Sequence, residues 1–149
     1  MFLVDEMPVT GRIEVGAGNA SLSPSPICPD WILEGNPLAR NKLLSRSADG
    51  NASTFLWDCS AGRFNWFYDI DETVYIIEGS VIIKDADHGV RQVNAGDTIY
   101  FPAGSTAEWT VPRYVRKVAF LRGPLPRPLQ IARRTYRSLK RLVGRKTAT

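Results

Sequence analysis

The middle of the chain alternates apolar and polar residues with a period of two, and this pattern constrains the fold more than any other feature. It extends from about residue 40 to residue 122. Short alternating runs separated by turn residues are typical of strands with one buried face, and a closely spaced series of them predicts an all-β sandwich or barrel. The predicted strands cover residues 54–59, 63–68, 72–78, 80–84, 90–93, 98–101, 106–111 and 114–122.

The two ends of the chain differ from this middle. Near the N-terminus, Pro24, Pro26 and Pro29 exclude a regular helix, because proline removes a backbone donor and restricts its neighbour. Near the C-terminus, apolar residues recur every three or four positions from Leu129 to Val143, which predicts an amphipathic helix. The predicted organisation is an N-terminal arm over 1–38 that lies on the body, a barrel over 39–123, and a basic C-terminal helix and tail over 124–149.

The charge is distributed unevenly along the chain. Eight of the 19 Lys and Arg residues lie after residue 126, where there is no Asp or Glu, so the rest of the chain has 11 basic against 15 acidic residues. A basic helix of this kind packs on the barrel or on a dimer partner, adsorbs to an anionic membrane, or contacts nucleic acid through phosphates. Packing is the favoured interpretation, since amphipathic helices most often serve it and no base-reading motif is present.

The composition predicts a cytoplasmic protein of the soluble globular class. Hydrophobic residues make up 44% and charged residues 23% of the chain, and no apolar run approaches the length of a membrane span. The first residues show neither a basic region nor a long apolar region, so a signal peptide is not predicted. Cys28 and Cys59 are then expected to be reduced thiols. With His88 as the single histidine, a site that needs several imidazoles from one chain is excluded.

Two blocks of the predicted barrel resemble the two motifs of the cupin superfamily. Residues 72–79 contain a glutamate and a glycine with the spacing of the second half of the first motif. Residues 96–104 contain Gly96, Pro102 and Gly104 with the spacing of the second motif. Further strings at 57–66 and 109–112 are similar to the cupins related to (S)-ureidoglycine aminohydrolase. The resemblance covers roughly residues 30–123, and it implies a jelly-roll barrel of the RmlC type that forms a dimer with exchanged arms.

The same resemblance locates the positions at which cupins bind a metal, and most of them have changed. Trp66 and Tyr68 stand at the two histidine positions of the first motif, and Ala107 stands at the histidine position of the second. Glu72 is the one carboxylate that remains. A first-row metal needs several N, O or S donors, so the sequence predicts that no metal cofactor is bound at the family's position.

If the cupin register holds, alternation directs the side chains of Trp66, Tyr68, Glu72 and Trp109 into the barrel. Aromatic walls with a few polar groups are typical of small-molecule pockets, although aromatic side chains also simply fill narrow barrels. Both interpretations stay open for Trp66 and Trp109. For Glu72 ligand contact is favoured, since a buried carboxylate is costly without a partner. Arg63, Arg116 and Lys117 are the candidate partners.

Two hypotheses for function follow. The first is a metal-free protein that binds a small polar or aromatic metabolite with Glu72 as anchor and with Trp66, Tyr68 and Trp109 as walls. The second is a hydrolase or isomerase, similar to ureidoglycine aminohydrolase, in which Glu72 is the general base and Tyr68 the proton donor. A homodimer is expected in either case.

Overall fold

A computed structural model of the chain describes residues 11, 13–124, 132 and 135. The described chain is built almost entirely of antiparallel strands, with one short 3-10 helix at Pro29–Trp31. In chain order the strands are β1 Ser23–Pro24, β2 Ile32–Gly35, β3 Ala39–Arg46, β4 Ala52–Phe67, β5 Asp71–Asp85, β6 Gly89–Asn94, β7 Thr98–Phe101 and β8 Thr106–Arg122. The predicted C-terminal helix falls almost wholly outside the described residues.

The strands pair in the order β1-β3-β4-β8-β5-β6, with β2 on β4 and β7 on β5. The long central strand β8 pairs along its length with both β4 and β5. One face of this curved sheet encloses the apolar core, so the all-β jelly-roll barrel predicted from the sequence is confirmed. No helix in the described part of the chain has the length and hydropathy needed to span a bilayer.

The strands are longer than predicted, because three predicted pairs are each one continuous strand. The prediction of separate strands at 54–59 and 63–68 is wrong, as is the break at 79 and the break between 111 and 114. At each place the ladder has a register irregularity instead of a turn. Such bulges bend a strand without ending its pairing, which is how three long strands curve around the barrel.

The N-terminal segment belongs partly to the sheet. Within the predicted arm, β1 pairs with β3 and β2 pairs with β4 of the same chain. Arg116 donates hydrogen bonds to the carbonyl oxygens of Gly18 and Ala20 at 3.0 and 3.3 Å, which ties the preceding segment to the outside of β8. The described part of the arm therefore lies on its own barrel.

The opposite face of β5, β7 and β8 is exposed in this single chain. Tyr75, Ile77, Tyr100 and Phe120 point outward there, and each exposes more than a third of its side chain. The alternation in the first half of β5 explains this, since Glu72, Val74 and Ile76 are the residues buried there. The homodimer stays a prediction.

The two cysteines lie in different environments, and neither is in a disulfide. We expect Cys28, which is exposed, to react with Ellman's reagent in the native protein at pH 8, and Cys59 to react at least about 100-fold more slowly. Burial raises the pKa of the Cys59 thiol to about 12, and the thiolate is the reactive form. Stopped-flow absorbance measurements should detect one fast-reacting thiol per native chain and two in guanidinium. The native Cys28→Ser variant should show no fast-reacting thiol. Two fast thiols in the native chain would contradict the placement of Cys59.

Candidate ligand cavity in the barrel

The candidate site is a partly open cavity of about 160 Å³ at the mouth of the barrel. Its wall combines aromatic and aliphatic side chains with a small number of polar groups, the composition expected for a small-molecule pocket. A second cavity of about 230 Å³, on the side of residues 46–53, shares the walls Phe55 and Leu121 with it. The first cavity is lined by Ser25, Asn41, Phe55, Trp57, Trp66, Glu72, Lys117, Ala119 and Leu121.

A buried ion pair forms the charged part of this wall. Lys117 on β8 donates a hydrogen bond from Nζ to Oε1 of Glu72 on β5 over 2.9 Å. Both residues are buried, and the pairing of β5 with β8 brings them together across adjacent strands. Of the three cations that the sequence offers as partners for Glu72, the fold selects Lys117.

The other two candidate cations are used elsewhere. Arg63 bonds to Glu34 and Glu108 at 3.1 and 3.2 Å on the surface. Arg116 lies on the outer face of β8, where it is 3.9 Å from Asp58 and holds the N-terminal segment. Asp58 itself is buried on that outer face, where Arg40 and Tyr114 donate to it.

Two indole rings enclose the ammonium group of Lys117. Nζ lies 4.8 Å from the ring centroids of both Trp57 and Trp109. A cation between two indole faces is attracted by both ring quadrupoles, and the attraction is strongest where water is excluded. The rings therefore hold Lys117 in one position beside Glu72.

Trp66 lines the cavity and is supported from outside. Its ring packs edge-on against Trp31 from the 3-10 helix, with 5.4 Å between centroids, and against Trp57 and Phe64 at 6.2 and 6.1 Å. Because Trp31 belongs to the N-terminal segment, that segment positions one wall of the cavity.

Tyr68 and Trp109 lie in the core and are not among the cavity-lining residues. The Trp109 indole donates from Nε1 to the Tyr68 hydroxyl at 2.9 Å. Tyr68 also stacks on Phe101, with centroids 4.2 Å apart. Burial raises the pKa of Tyr68 well above its ordinary value, and the charge of Glu72 raises it further. This phenol stays protonated at neutral pH and is a weak acid there.

The positions at which related cupins ligate a metal do not fit one here. Trp66 and Ala107 offer no donor, the Tyr68 hydroxyl is bonded to Trp109, and Oε1 of Glu72 is bonded to an ammonium group. Among the described residues there is no group of three or more His, Cys, Asp and Glu side chains placed to hold a metal ion. The donor set thus disagrees with a metal centre of the family's type.

Comparisons with known proteins give the same fold and a matching domain model for the middle of the chain. Residues 46–119 match the family model described as the EutQ-like cupin domain. A DUF861-family protein of unknown function from Pseudomonas syringae pv. tomato is 27% identical, with a TM-score of 0.65 over 70% of this chain and 46% of that one. The chain therefore spans about half the length of that protein. No curated protein matches the chain.

Two solved EutQ structures show the fold alone, since each is 22% identical to this chain with a TM-score of 0.51. The putative ethanolamine utilization protein Q from Salmonella typhimurium aligns over 57% of this chain and 69% of its own length. The EutQ protein of Clostridium difficile aligns over 58% and 63%. The matched domain contains β4 to β7 and most of β8, and hence Trp57, Trp66, Glu72 and Lys117 of the cavity.

Proposed function

This chain carries a EutQ-like cupin domain, and we propose that the barrel of that domain binds a small polar or aromatic metabolite without a metal. The observation that carries the proposal is the buried Lys117–Glu72 pair at the wall of an aromatic cavity. A buried ion pair is weak evidence for stability, since apolar residues in its place often stabilise a fold more. Its position on a cavity wall gives it a use in recognition.

Glu72 is the anchor in this proposal. Lys117 occupies its Oε1, so Oε2 is the oxygen directed to a ligand donor. Trp66 and Trp57 supply flat apolar walls, whereas Tyr68 and Trp109 support the site from the core. The Trp109 ring contacts the Lys117 ammonium, and Tyr68 accepts a hydrogen bond from Trp109. The roles of wall and support are thus divided between the two pairs of aromatic residues.

The alternative of a ureidoglycine aminohydrolase-like hydrolase or isomerase has less support from the geometry. A general base needs a free lone pair within reach of the substrate, and a proton donor must reach it too. The raised pKa of Tyr68 and its burial in the core, away from the cavity-lining residues, argue against the second role for it. Binding requires only groups that already face the cavity.

A metabolite screen tests the proposal. We expect at least one small polar or aromatic compound to raise the melting temperature and change tryptophan fluorescence, and Glu72→Gln to weaken its binding at least about tenfold, because a hydrogen bond to a charged group is lost. Binding should survive dialysis against EDTA, with no stoichiometric transition metal by elemental analysis.

The matched control is Glu78→Gln, an exposed carboxylate on the same strand β5, which should bind the compound as the unaltered chain does. A screen without any shift would overturn the proposal. Equal binding by the Glu72→Gln variant would remove Glu72 from it, and a chelator-sensitive signal would contradict metal-free binding.

A further inference from the structure

We infer that the cavity selects a ligand that is electrically neutral, planar and equipped with adjacent donor and acceptor groups, as in a carboxamide on an aromatic ring. This inference rests on the proposed function and adds the chemical class of the ligand. Three properties of the described wall support it: its net charge, its hydrogen-bonding groups and its shape.

The charge on the wall sums to zero. Among the nine lining residues, Glu72 and Lys117 are the charged ones, and they neutralise each other over 2.9 Å. A ligand ion placed beside this pair would be desolvated without an opposite charge of its own, and an unpaired charge out of water is strongly unfavourable. A neutral ligand avoids that cost.

Donors and acceptors stand side by side on the same wall. The ammonium of Lys117 has protons beyond the one directed to Glu72, and Oε2 of Glu72 accepts. Asn41 and Ser25 also line the cavity, and Asn41 donates from Nδ2 to the Ser25 hydroxyl at 3.1 Å, a bond that uses neither the Ser25 proton nor the Asn41 side-chain oxygen. A carboxamide matches the ion pair, since its N–H donates to Glu72 while its carbonyl oxygen accepts from Lys117.

The shape of the cavity suits a flat body. Trp57, Trp66 and Phe55 contribute ring surfaces to a volume of about 160 Å³, and an apolar cavity of about 150 Å³ holds a benzene ring. A single aromatic or heteroaromatic ring with one amide-type group is therefore the size of ligand expected.

Three nearly isosteric probes separate charge from shape: benzamide, benzoate and benzamidinium. Binding of each to the full chain at pH 7.5 is measured by saturation-transfer NMR and by the shift in melting temperature. We expect benzamide to bind at least about tenfold more tightly than either ion, because an ion would lose its hydration beside a wall that carries no net charge. A tenfold difference in affinity corresponds to about 1.4 kcal/mol.

Variants of the pair should change the preference in opposite directions. Glu72→Gln leaves the positive charge of Lys117, and the preference should move to benzoate. Lys117→Gln leaves the negative charge of Glu72, and the preference should move to benzamidinium. The double variant restores a neutral wall and should again favour benzamide. If the pair had only a structural role, the variants would bind all three probes more weakly by similar factors. Circular dichroism verifies that each variant is folded.

Binding of benzoate or benzamidinium to the unaltered chain as tight as that of benzamide would overturn the inference and leave the proposed function standing. An unchanged preference in the two single variants would also overturn it. If a variant fails to fold, the relative affinities of the three probes for the unaltered chain still test the inference. Failure of all three probes there overturns the amide class, whereas the proposed function falls only with the wider metabolite screen.

Discussion

Replacement of Lys117 by methionine is expected to lower the free energy of unfolding by about 3–5 kcal/mol, the range for breaking a buried ion pair by removing one partner. The side chains of Lys117 and Glu72 are only 7% and 10% exposed, so water screens the interaction little. Without Lys117, Glu72 stays in the barrel as an uncompensated charge. The contacts of the ammonium with Trp57 and Trp109 are lost as well.

Urea unfolding followed by circular dichroism at pH 7 measures the effect. Lys84→Met is the matched control, because Lys84 is an exposed lysine on β5, and its effect should stay within about 0.5 kcal/mol. The double variant Glu72→Met/Lys117→Met should recover most of the loss, since apolar residues often replace a buried pair without penalty. Equal effects of Lys117→Met and Lys84→Met would show that the pair is not buried.

Replacement of Gly79 by alanine is expected to destabilise the fold by about 3–5 kcal/mol. Gly79 has φ +75°, which costs an L residue about 1–2 kcal/mol. A Cβ at this position would also lie 1.9 Å from the carbonyl oxygen of Tyr114 on β8. Relieving that overlap requires displacement of the backbone between β5 and β8, at a cost similar to that of overpacking a core.

Gly104→Ala separates the two contributions. Gly104 has φ +86°, but a Cβ there would meet nothing within 4 Å, so only the conformational cost of about 1–2 kcal/mol is expected. Both variants are compared by thermal and urea unfolding. If Gly79→Ala were no worse than Gly104→Ala, the close approach of β5 to β8 at this glycine would be refuted.

These two glycines also explain why the sequence motifs predict the fold. Each motif places a glycine where the backbone has a positive φ, and Gly79 additionally lets two strands approach. These are local requirements that spacing along the chain reveals. The alternation of β5 is equally local, which is why the burial of Glu72 in the barrel could be predicted from its position in the strand.

The phase of β4 could not be predicted in that way. Trp57 and Trp66 are nine residues apart, so strict alternation would direct them to opposite faces. The register irregularity between Ser60 and Gly62 changes the phase, and both rings line the cavity. A bulge depends on the pairing with β8, and the amino acids of residues 57–66 do not by themselves indicate where the bulge lies.

The separation of walls from core is a further result of the tertiary structure. Trp66 and Tyr68 lie on the same face by alternation, yet Trp66 lines the cavity, whereas Tyr68 is bonded to Trp109 beneath it. Depth within a barrel depends on the curvature of the sheet and on the segments that cover its mouth. Trp31 belongs to such a segment, because it packs against Trp66 although the two residues are distant in the sequence.

The sequence by itself determined the all-β barrel and the inward direction of Glu72, because periodicity and spacing express local backbone geometry. Its resemblance to the cupins implied that Trp66, Tyr68 and Ala107 stand at histidine positions of that family. Only the tertiary structure decided which of Arg63, Arg116 and Lys117 pairs with Glu72. Ion pairing depends on distances of a few ångströms between strands that are 45 residues apart in the chain. That choice follows from the register of β5 against β8, and with it the neutral charge of the cavity wall.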